Sequence, residues 1–319
     1  MIVADQRAHA LEVMSGFAVA DAPLAPLTTY KVGGAAAVLA TPRSIDDLAA
    51  VARAVRDTAM PILVVGRGSN LLVADDGFAG IAVSLAAMPG AADRIDVDAT
   101  RVVAGAAVSL PVLARRTVAC GLTGFEWAVG VPGSLGGGVR MNAGGHGSDI
   151  AASLVDVDVF DLRTGRSARV PASRLGLRFR GSDLAAHQVV LDGTLELAVG
   201  DSAQGDAMLA DIVRWRREHQ PGGQNAGSVF VNPVPGEVAA GQLIDSLGLR
   251  GTRVGGAFVS DKHANFVQAS EGATAADVRA VIELVRAAVR EHTGYVLRSE
   301  VRLIGFADVV PDDVPGVVL

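Results

Sequence analysis

The chain has one cysteine, Cys120, so no intramolecular disulfide can form, and a reducing cytosol is the compartment this implies. Cys120 closes an apolar helical pattern just ahead of Gly121, a placement that predicts a buried structural thiol rather than a nucleophile. The six histidines have no paired ligand spacing, so no metal site is expected. No run approaches the roughly 20 apolar residues of a membrane span. The longest uncharged apolar stretch, 77–92, is broken by Gly80, Pro89 and Gly90. The N-terminus, MIVADQRAHALEV, carries charges where a signal peptide needs an apolar core. A cytoplasmic protein without membrane insertion is therefore expected. Lysine is also scarce: of 28 basic residues only Lys31 and Lys262 are lysine, and they fall inside TTYKVGG and SDKHANF. The net charge of −6 argues against a general nucleic-acid binder but leaves room for a local basic pocket that holds an anionic small molecule.

What is present is a globular composition, 50% hydrophobic and 19% charged over 319 residues, enough for two or three domains. Glycine is concentrated. Residues 121–147, GLTGFEWAVGVPGSLGGGVRMNAGGHG, hold ten of the 38 glycines. Leu122, Phe125, Trp127, Val129, Leu135 and Val139 run through the same segment, which excludes a solvated linker. A glycine-dense but apolar backbone can approach another group closely while staying buried. A diphosphate is one such group, because its oxygens accept hydrogen bonds from unhindered N–H groups. A second loop of this kind, VVGRGSNLL, lies at 64–72. Neither loop has the G-x-G-x-x-G spacing, and either one alone fits a tight turn between short strands. Together they suggest one large dinucleotide cofactor gripped from two sides.

The pattern along the chain is α+β, with many short strands and no regular βαβ alternation. Strands are expected at 35–41, 62–65, 71–73, 81–84, 94–98, 101–104, 154–160, 166–171 and 188–198, with turns at Thr164-Gly165 and Asp192-Gly193. Ser44 caps a helix to about Asp57, and Ser109 starts one that stops at Gly121. Further helices are predicted over 205–219, 238–247 and 274–293, the last between Thr274 as N-cap and Gly294 as its stop. A strand over 300–305 ends the fold, and the tail FADVVPDDVPGVVL reads as peripheral.

Three segments carry residues suited to chemistry. In LRFRGSDL, Arg178 and Arg180 lie two apart and would share one face of a strand. In NAGSVFVNP, Ser228 sits in a turn of small residues. In SEVRLIG, Glu300 and Arg302 share a strand face. Read from the residues alone, each also fits a structural role: Arg180 a surface cation, Ser228 a turn residue, Glu300 with Arg302 an edge ion pair.

Taken in order, TTYKVGG, GRGSNLLVADDGFAG, GVPGSLGGGVRMNAGGHG, NAGSVFVNP, LIDSLGLRGTRVGGAFVSDKHANFV and SEVRLIG resemble the UDP-N-acetylenolpyruvoylglucosamine reductases (MurB), over nearly the whole chain. The short 180–225 connection resembles the family's type II branch. The resemblance implies a two-lobed FAD-binding domain of the vanillyl-alcohol oxidase and p-cresol methylhydroxylase (PCMH/VAO) kind over 18–200, with lobes about 18–88 and 89–200. A smaller α+β substrate-binding domain over 201–305 and a tail over 306–319 would follow. It implies non-covalent FAD, NADPH as hydride donor, a UDP-sugar enolpyruvyl ether as substrate, and a monomer. Gly66, Arg67, Gly68, Ser69, Asn70, Leu71, Pro132, Gly133, Ser134, Gly137, Asn142 and Arg302 would hold the cofactor. Arg180 would hold the substrate carboxylate region, Ser228 would deliver a proton, and Glu300 would stabilise the intermediate. Arg214, Arg217 and Lys262 would bind the substrate.

Some positions depart from the family pattern. Phe179 stands where tyrosine is common, Val231 replaces a basic residue after the serine motif, and Asp261 replaces a common glutamate. The loss at Val231 would be offset by Arg214, Arg216, Arg217 or Lys262. Two other readings remain at this point: a flavin-binding paralogue with another substrate, and an oxidase of the same superfamily with His146 as a covalent flavin attachment.

Overall fold

The computed structural model describes residues 4–309 and 316–319. The first lobe is a four-stranded sheet in the spatial order Ala18–Pro23, Ala35–Ala40, Phe78–Val83, Ile62–Val64. The first pair is antiparallel and the other two are parallel. The helix Ile45–Thr58 follows from its sequence. The Ser44 hydroxyl accepts the Asp47 N–H at 3.1 Å, Asp46 and Asp47 face the positive end of the helix dipole, and Leu48, Val51, Ala52 and Val55 form the buried stripe. The helix Ala4–Val13, which has little amphipathic signal of its own, packs against it.

The second lobe is a five-stranded antiparallel sheet in the order Arg166–Pro171, Leu154–Asp161, Gln188–Glu196, Arg101–Gly105, Ile95–Asp98. The turn expected at Asp192-Gly193 is absent. Both residues lie inside the central strand, where Gly193 pairs with Val157 on one side and Ala104 on the other. Its glycine serves packing instead, because a Cβ there would sit 3.4–3.6 Å from Leu135, Leu154 and Val157 side chains. The helix expected at 205–219 runs from Ser202 to His219, since the Asp201 side chain caps it by accepting the Gln204 N–H at 2.8 Å. Its Leu209 and Ile212 pack into the core shared by the first two lobes, so a domain change drawn at 201 falls at the head of a helix that rests on the second lobe.

The third unit is a small antiparallel sheet in the order Gln224–Asn225, Val267–Ala269, Ala257–Val259, Arg253–Val254, with the helices Ala240–Ser246 and Ala275–Thr293. Its core is separate, yet it takes in Tyr30, Val32 and Leu72 from the first lobe. The final strand, Arg302–Ile304, leaves this unit and pairs in parallel with Leu71–Val73, directly after the first glycine loop. A second tie is electrostatic: both carboxylate oxygens of Asp75 accept N–H groups at the head of the long helix, from Ala275 at 2.8 Å and Ala276 at 2.9 Å.

Two further expectations are overturned. Cys120 is exposed, because the helix Leu110–Ala119 ends one residue earlier and its buried stripe stops at Val118. The tail is not wholly peripheral. Of its residues 310–315 lie outside the described residues, but Val317 is buried and its backbone N–H and C=O pair with the side-chain amide of Gln188 at 3.0 and 2.7 Å. No helix among the described residues is long and apolar enough to cross a membrane.

Asp75→Ala removes a cap that joins two units of the fold. Stability should fall by about 1 kcal/mol, seen as a lower urea midpoint with an unchanged slope, whereas Asp76→Ala should leave the midpoint in place.

Candidate functional site

The two glycine loops face each other. A Cβ on Gly66 would lie 2.7 Å from the Ser134 hydroxyl, and one on Gly133 would lie 3.7 Å from that of Ser69. Gly68 has a left-handed backbone, φ +57°, and a Cβ there would meet the Leu27 carbonyl oxygen at 2.0 Å. Only glycine fits that position. Among the described residues, no protein acceptor takes the backbone N–H groups of Gly66 to Asn70, while Ser134 precedes the short helix Leu135–Met141. A run of unpaired N–H groups opposite a second glycine turn suits a diphosphate.

The cradle residues divide in their duties. Asn142 is buried, adopts φ +39°, and spends its side chain on its own loop, donating to Asp149 at 3.0 Å and accepting from Ala151 N–H at 3.0 Å. Asn70 faces the terminal strand. Its side chain donates to the Glu300 carbonyl at 2.8 Å, and its own carbonyl accepts the Arg302 N–H at 2.9 Å. The amino acids of SEVRLIG are thereby fastened to the edge of the cradle. Pro132 and Gly137 are exposed at the mouth of the second loop, as are Gly66 and Arg67 at the first.

Arg180 and Glu300, 120 residues apart, form an ion pair at 2.9 Å, with side chains 29% and 14% exposed. The guanidinium also donates to the Gly144 carbonyl at 3.2 Å, in the second glycine segment. The expectation of a strand with Arg178 and Arg180 on one face is wrong. Residues 178–181 form a tight turn closed by two bonds between Arg178 and Gly181, each 3.0 Å. Arg178 turns outward to Asp183 at 2.5 Å, whereas Arg180 takes φ +56° and points inward. A left-handed arginine is a strained conformation that surrounding structure must hold in place. Phe179 is exposed, with the Arg180 guanidinium 5.2 Å from its ring centroid.

Ser228 is half-buried and follows Gly227 at φ +78°. Among the described residues its hydroxyl has no partner. The next residue, Val229, accepts the Glu300 N–H at 2.7 Å, which sets Ser228 beside Glu300 in space. The three residues expected to act together thus converge, and they do so at the cradle through Asn70 and Gly144.

The basic residues sort less simply. Arg214 pairs with Asp211 at 2.6 Å on the exposed face of its helix and does not line the neighbouring cavity. Arg216, Arg217 and Lys262 do, with Gln220, Pro221 and Gly222, around an open space of about 380 Å³. Arg216 is bonded to Gln220 at 2.7 Å and has no carboxylate partner among the described residues, and burial lowers its pKa. Lys262 donates to the Arg217 carbonyl near the negative end of the helix Ser202–His219. Helical phase turns Arg214 to the exposed face and Arg216, two residues on, toward the cavity. His146 is exposed and packs edge-on against Trp215 at 5.2 Å, with Trp215 stacked on His219 at 4.8 Å. Among the described residues no cluster of three or more His, Cys, Asp or Glu could hold a metal.

Residues the sequence reading did not single out include Asn265, whose side chain bonds the backbone beside Ser228, and Tyr30, which is fully buried against the third unit with its pKa raised mainly by burial. Both lie within motifs the sequence already set apart, SDKHANF and TTYKVGG.

The profile described as "UDP-N-acetylenolpyruvoylglucosamine reductase, C-terminal domain" matches residues 219–304, and that described as "FAD binding domain" matches 36–170. The chain is 44% identical over 285 residues to the UDP-N-acetylenolpyruvoylglucosamine reductase of Heliobacterium modesticaldum, covering 89% of each chain. It is 41% identical to that of an Anaeromyxobacter species, covering 95% of this chain and 93% of the other. In three dimensions it matches the crystal structure of UDP-N-acetylenolpyruvylglucosamine reductase from Thermus caldophilus with a TM-score of 0.76 and 32% identity, over 90% of this chain and 98% of that one.

Gly68→Ala should fold and yet lose cofactor. Backbone strain of about 1–3 kcal/mol falls on the cradle itself, so FAD affinity should drop by about tenfold or more, read as a lower ratio of visible to ultraviolet absorbance in purified protein.

Proposed function

The chain belongs to the UDP-N-acetylenolpyruvoylglucosamine reductase family, FAD- and NADPH-using oxidoreductases of peptidoglycan precursor synthesis, and on that premise we propose how its residues divide the reduction of UDP-N-acetylglucosamine enolpyruvate to UDP-N-acetylmuramate. The observation that carries this reading is the convergence of Arg180, Glu300 and the Ser228 turn on a cradle edge made by Asn70.

FAD, when bound, supplies the hydride chemistry between NADPH and the enolpyruvyl group. The unpaired N–H groups of residues 66–70 and the facing turn at 132–134 would hold its diphosphate. An enol ether accepts hydride poorly, because addition at its terminal methylene leaves negative charge on the adjacent carbon and carboxylate. Preorganised donors aimed at that charge do most of the work in such a step. Arg180 is suited to it: its guanidinium is oriented in advance by Glu300 and the Gly144 carbonyl, and it has donors left over. Ser228 supplies the proton to that carbon, and its unpartnered hydroxyl is free to do so. Glu300 holds Arg180 in its left-handed turn and faces the same space.

The diphosphate of the substrate is assigned to the cavity of Arg216, Arg217 and Lys262, with Arg216 in the role first given to Arg214. A half-buried guanidinium without a carboxylate partner is a cation awaiting an anion. The short loop from Gln220 to Gly227 joins this cavity to Ser228, so one extended substrate could reach both. We assign the protein to the cytoplasm, without membrane insertion and as a monomer with non-covalent FAD. One flavin per monomer-sized particle on gel filtration, and release of that flavin on denaturation, are the expected results; flavin that stays on the chain would point to an oxidase-like attachment.

Ser228→Ala should separate the half-reactions. Reduction by NADPH should proceed, while reoxidation by the enolpyruvyl substrate should slow by at least about 10⁴-fold, the upper end for a general acid. Equal slowing of both would make Ser228 a structural residue. For Glu300, the partner ion pair predicts that its charge matters. Glu300→Gln should therefore slow reoxidation more than Glu300→Asp, and near-normal rates in both would reduce the pair to an edge contact.

A further inference from the structure

We propose that Asn265 is a positioning residue for proton delivery, an amide clamp that holds the Ser228 turn in register with Glu300. The inference rests on the reading of Ser228 as the proton donor, and it assigns the task of aiming that donor to a residue that touches neither cofactor nor substrate.

Ser228 belongs to no helix or strand and its preceding glycine is left-handed; the Gly227 N–H donates to Asn225 Oδ1 at 3.0 Å, and no bond within the turn reaches past Ser228 itself. The constraint comes from the two residues that follow. All four backbone polar groups of Val229 and Phe230 are taken. The Val229 N–H donates to the Asn265 carbonyl at 2.8 Å, and the Val229 carbonyl accepts the Glu300 N–H at 2.7 Å. The Phe230 N–H donates to Asn265 Oδ1 at 2.9 Å, and the Phe230 carbonyl accepts from Asn265 Nδ2 at 2.8 Å. Asn265 thus supplies three of the four bonds, and Glu300 supplies the other.

The side chain required is specific. A primary amide carries one acceptor and one donor in a plane, so it can pair with the N–H and C=O of a single residue as a neighbouring strand would. A carboxylate keeps the bond to the N–H but turns a second oxygen toward the Phe230 carbonyl. An apolar side chain of similar size leaves both backbone groups unpaired. The clamp is buried: Asn265, Val229 and Phe230 are all 5% exposed or less, so water cannot substitute. Asn265 is itself oriented by its neighbour, since its N–H donates to His263 Nδ1 at 3.2 Å. The SDKHANF segment therefore aims the serine, while its lysine lines the cation cavity. Because Val229 is bonded to Asn265 on one side and to Glu300 on the other, a loosened clamp would shift the serine relative to Glu300 and Arg180. A misplacement near 1 Å costs a positioned group about 10²-fold in rate.

The test is stopped-flow on FAD-loaded Asn265→Asp and Asn265→Leu, alone and combined with Ser228→Ala. Reduction by NADPH should be unchanged and substrate Kd, read from flavin absorbance, should hold, while reoxidation slows about 10²-fold. In the Ser228→Ala background the same substitutions should have little further effect, within about twofold of none, because the donor they aim is gone. In Asn265→Asp, reoxidation relative to the parent should recover as pH falls, since a protonated carboxyl regains a donor for the Phe230 carbonyl. Asn265→Asp retains one of the two side-chain bonds and serves should Asn265→Leu fail to fold. Slowing of both half-reactions, full additivity with Ser228→Ala, or a pH-independent deficit would overturn the clamp. If Ser228→Ala alone reoxidises normally, it is the assignment of the proton donor that fails.

Discussion

Three residues of parallel pairing hold the functional part of this molecule together. Arg302–Ile304 lies beside Leu71–Val73, and the Asn70 side chain bonds the Glu300 carbonyl just ahead of that register. Without this pairing the third unit would carry Glu300 and Ser228 on a separate core. With it, the first glycine loop and the segment that carries Glu300 are joined by one backbone ladder. Tyr30, Val32 and Leu72 bury the joint, and Asp75 caps the long helix across it. A site that must keep reacting atoms within a few tenths of an ångström needs such a connection through rigid elements rather than through loops.

The electrostatics follow from the same geometry. Several arginines are neutralised by nearby carboxylates at the surface, as Arg214 is by Asp211 and Arg94 by Asp96. Such exposed pairs contribute little to stability. Two others stand apart. Among the described residues Arg216 keeps a half-buried charge without a carboxylate, and Arg180, paired with Glu300, is held in a backbone conformation that favours glycine. Charge left uncompensated and backbone left strained are both costs to the fold. Arg216 lines the cation cavity, and Arg180 pairs with Glu300, whose N–H is bonded to the residue after Ser228.

Much of the fold was legible because local rules decided it. Ser44 and Thr274 cap their helices with their own side chains, and Thr274 forms a full capping box with Asp277. The failures share a cause. Gly193 resembled a turn residue but is a contact point for Leu135, Leu154 and Val157 across the sheet. Cys120 seemed buried by its apolar neighbours, yet the helix ends before it. The Arg178–Arg180 pair had strand spacing but sits in a reversed turn, so one cation faces solvent and the other faces Glu300.

The sequence by itself determined the kind of cofactor and the family. Glycines that admit a diphosphate, and long motifs around them, are properties of consecutive residues and survive any arrangement of the rest. Which arginine pairs with Glu300, which one lines the cation cavity, what bonds the backbone after Ser228, and how Glu300 is joined to Asn70 were decided only by tertiary structure. Those depend on helical phase, on hydrogen bonds such as Asn265 to Phe230 and Asn70 to Glu300, and on contacts 35 to 230 residues apart. No local propensity encodes such a distance, because the partner is supplied by the packing of another element.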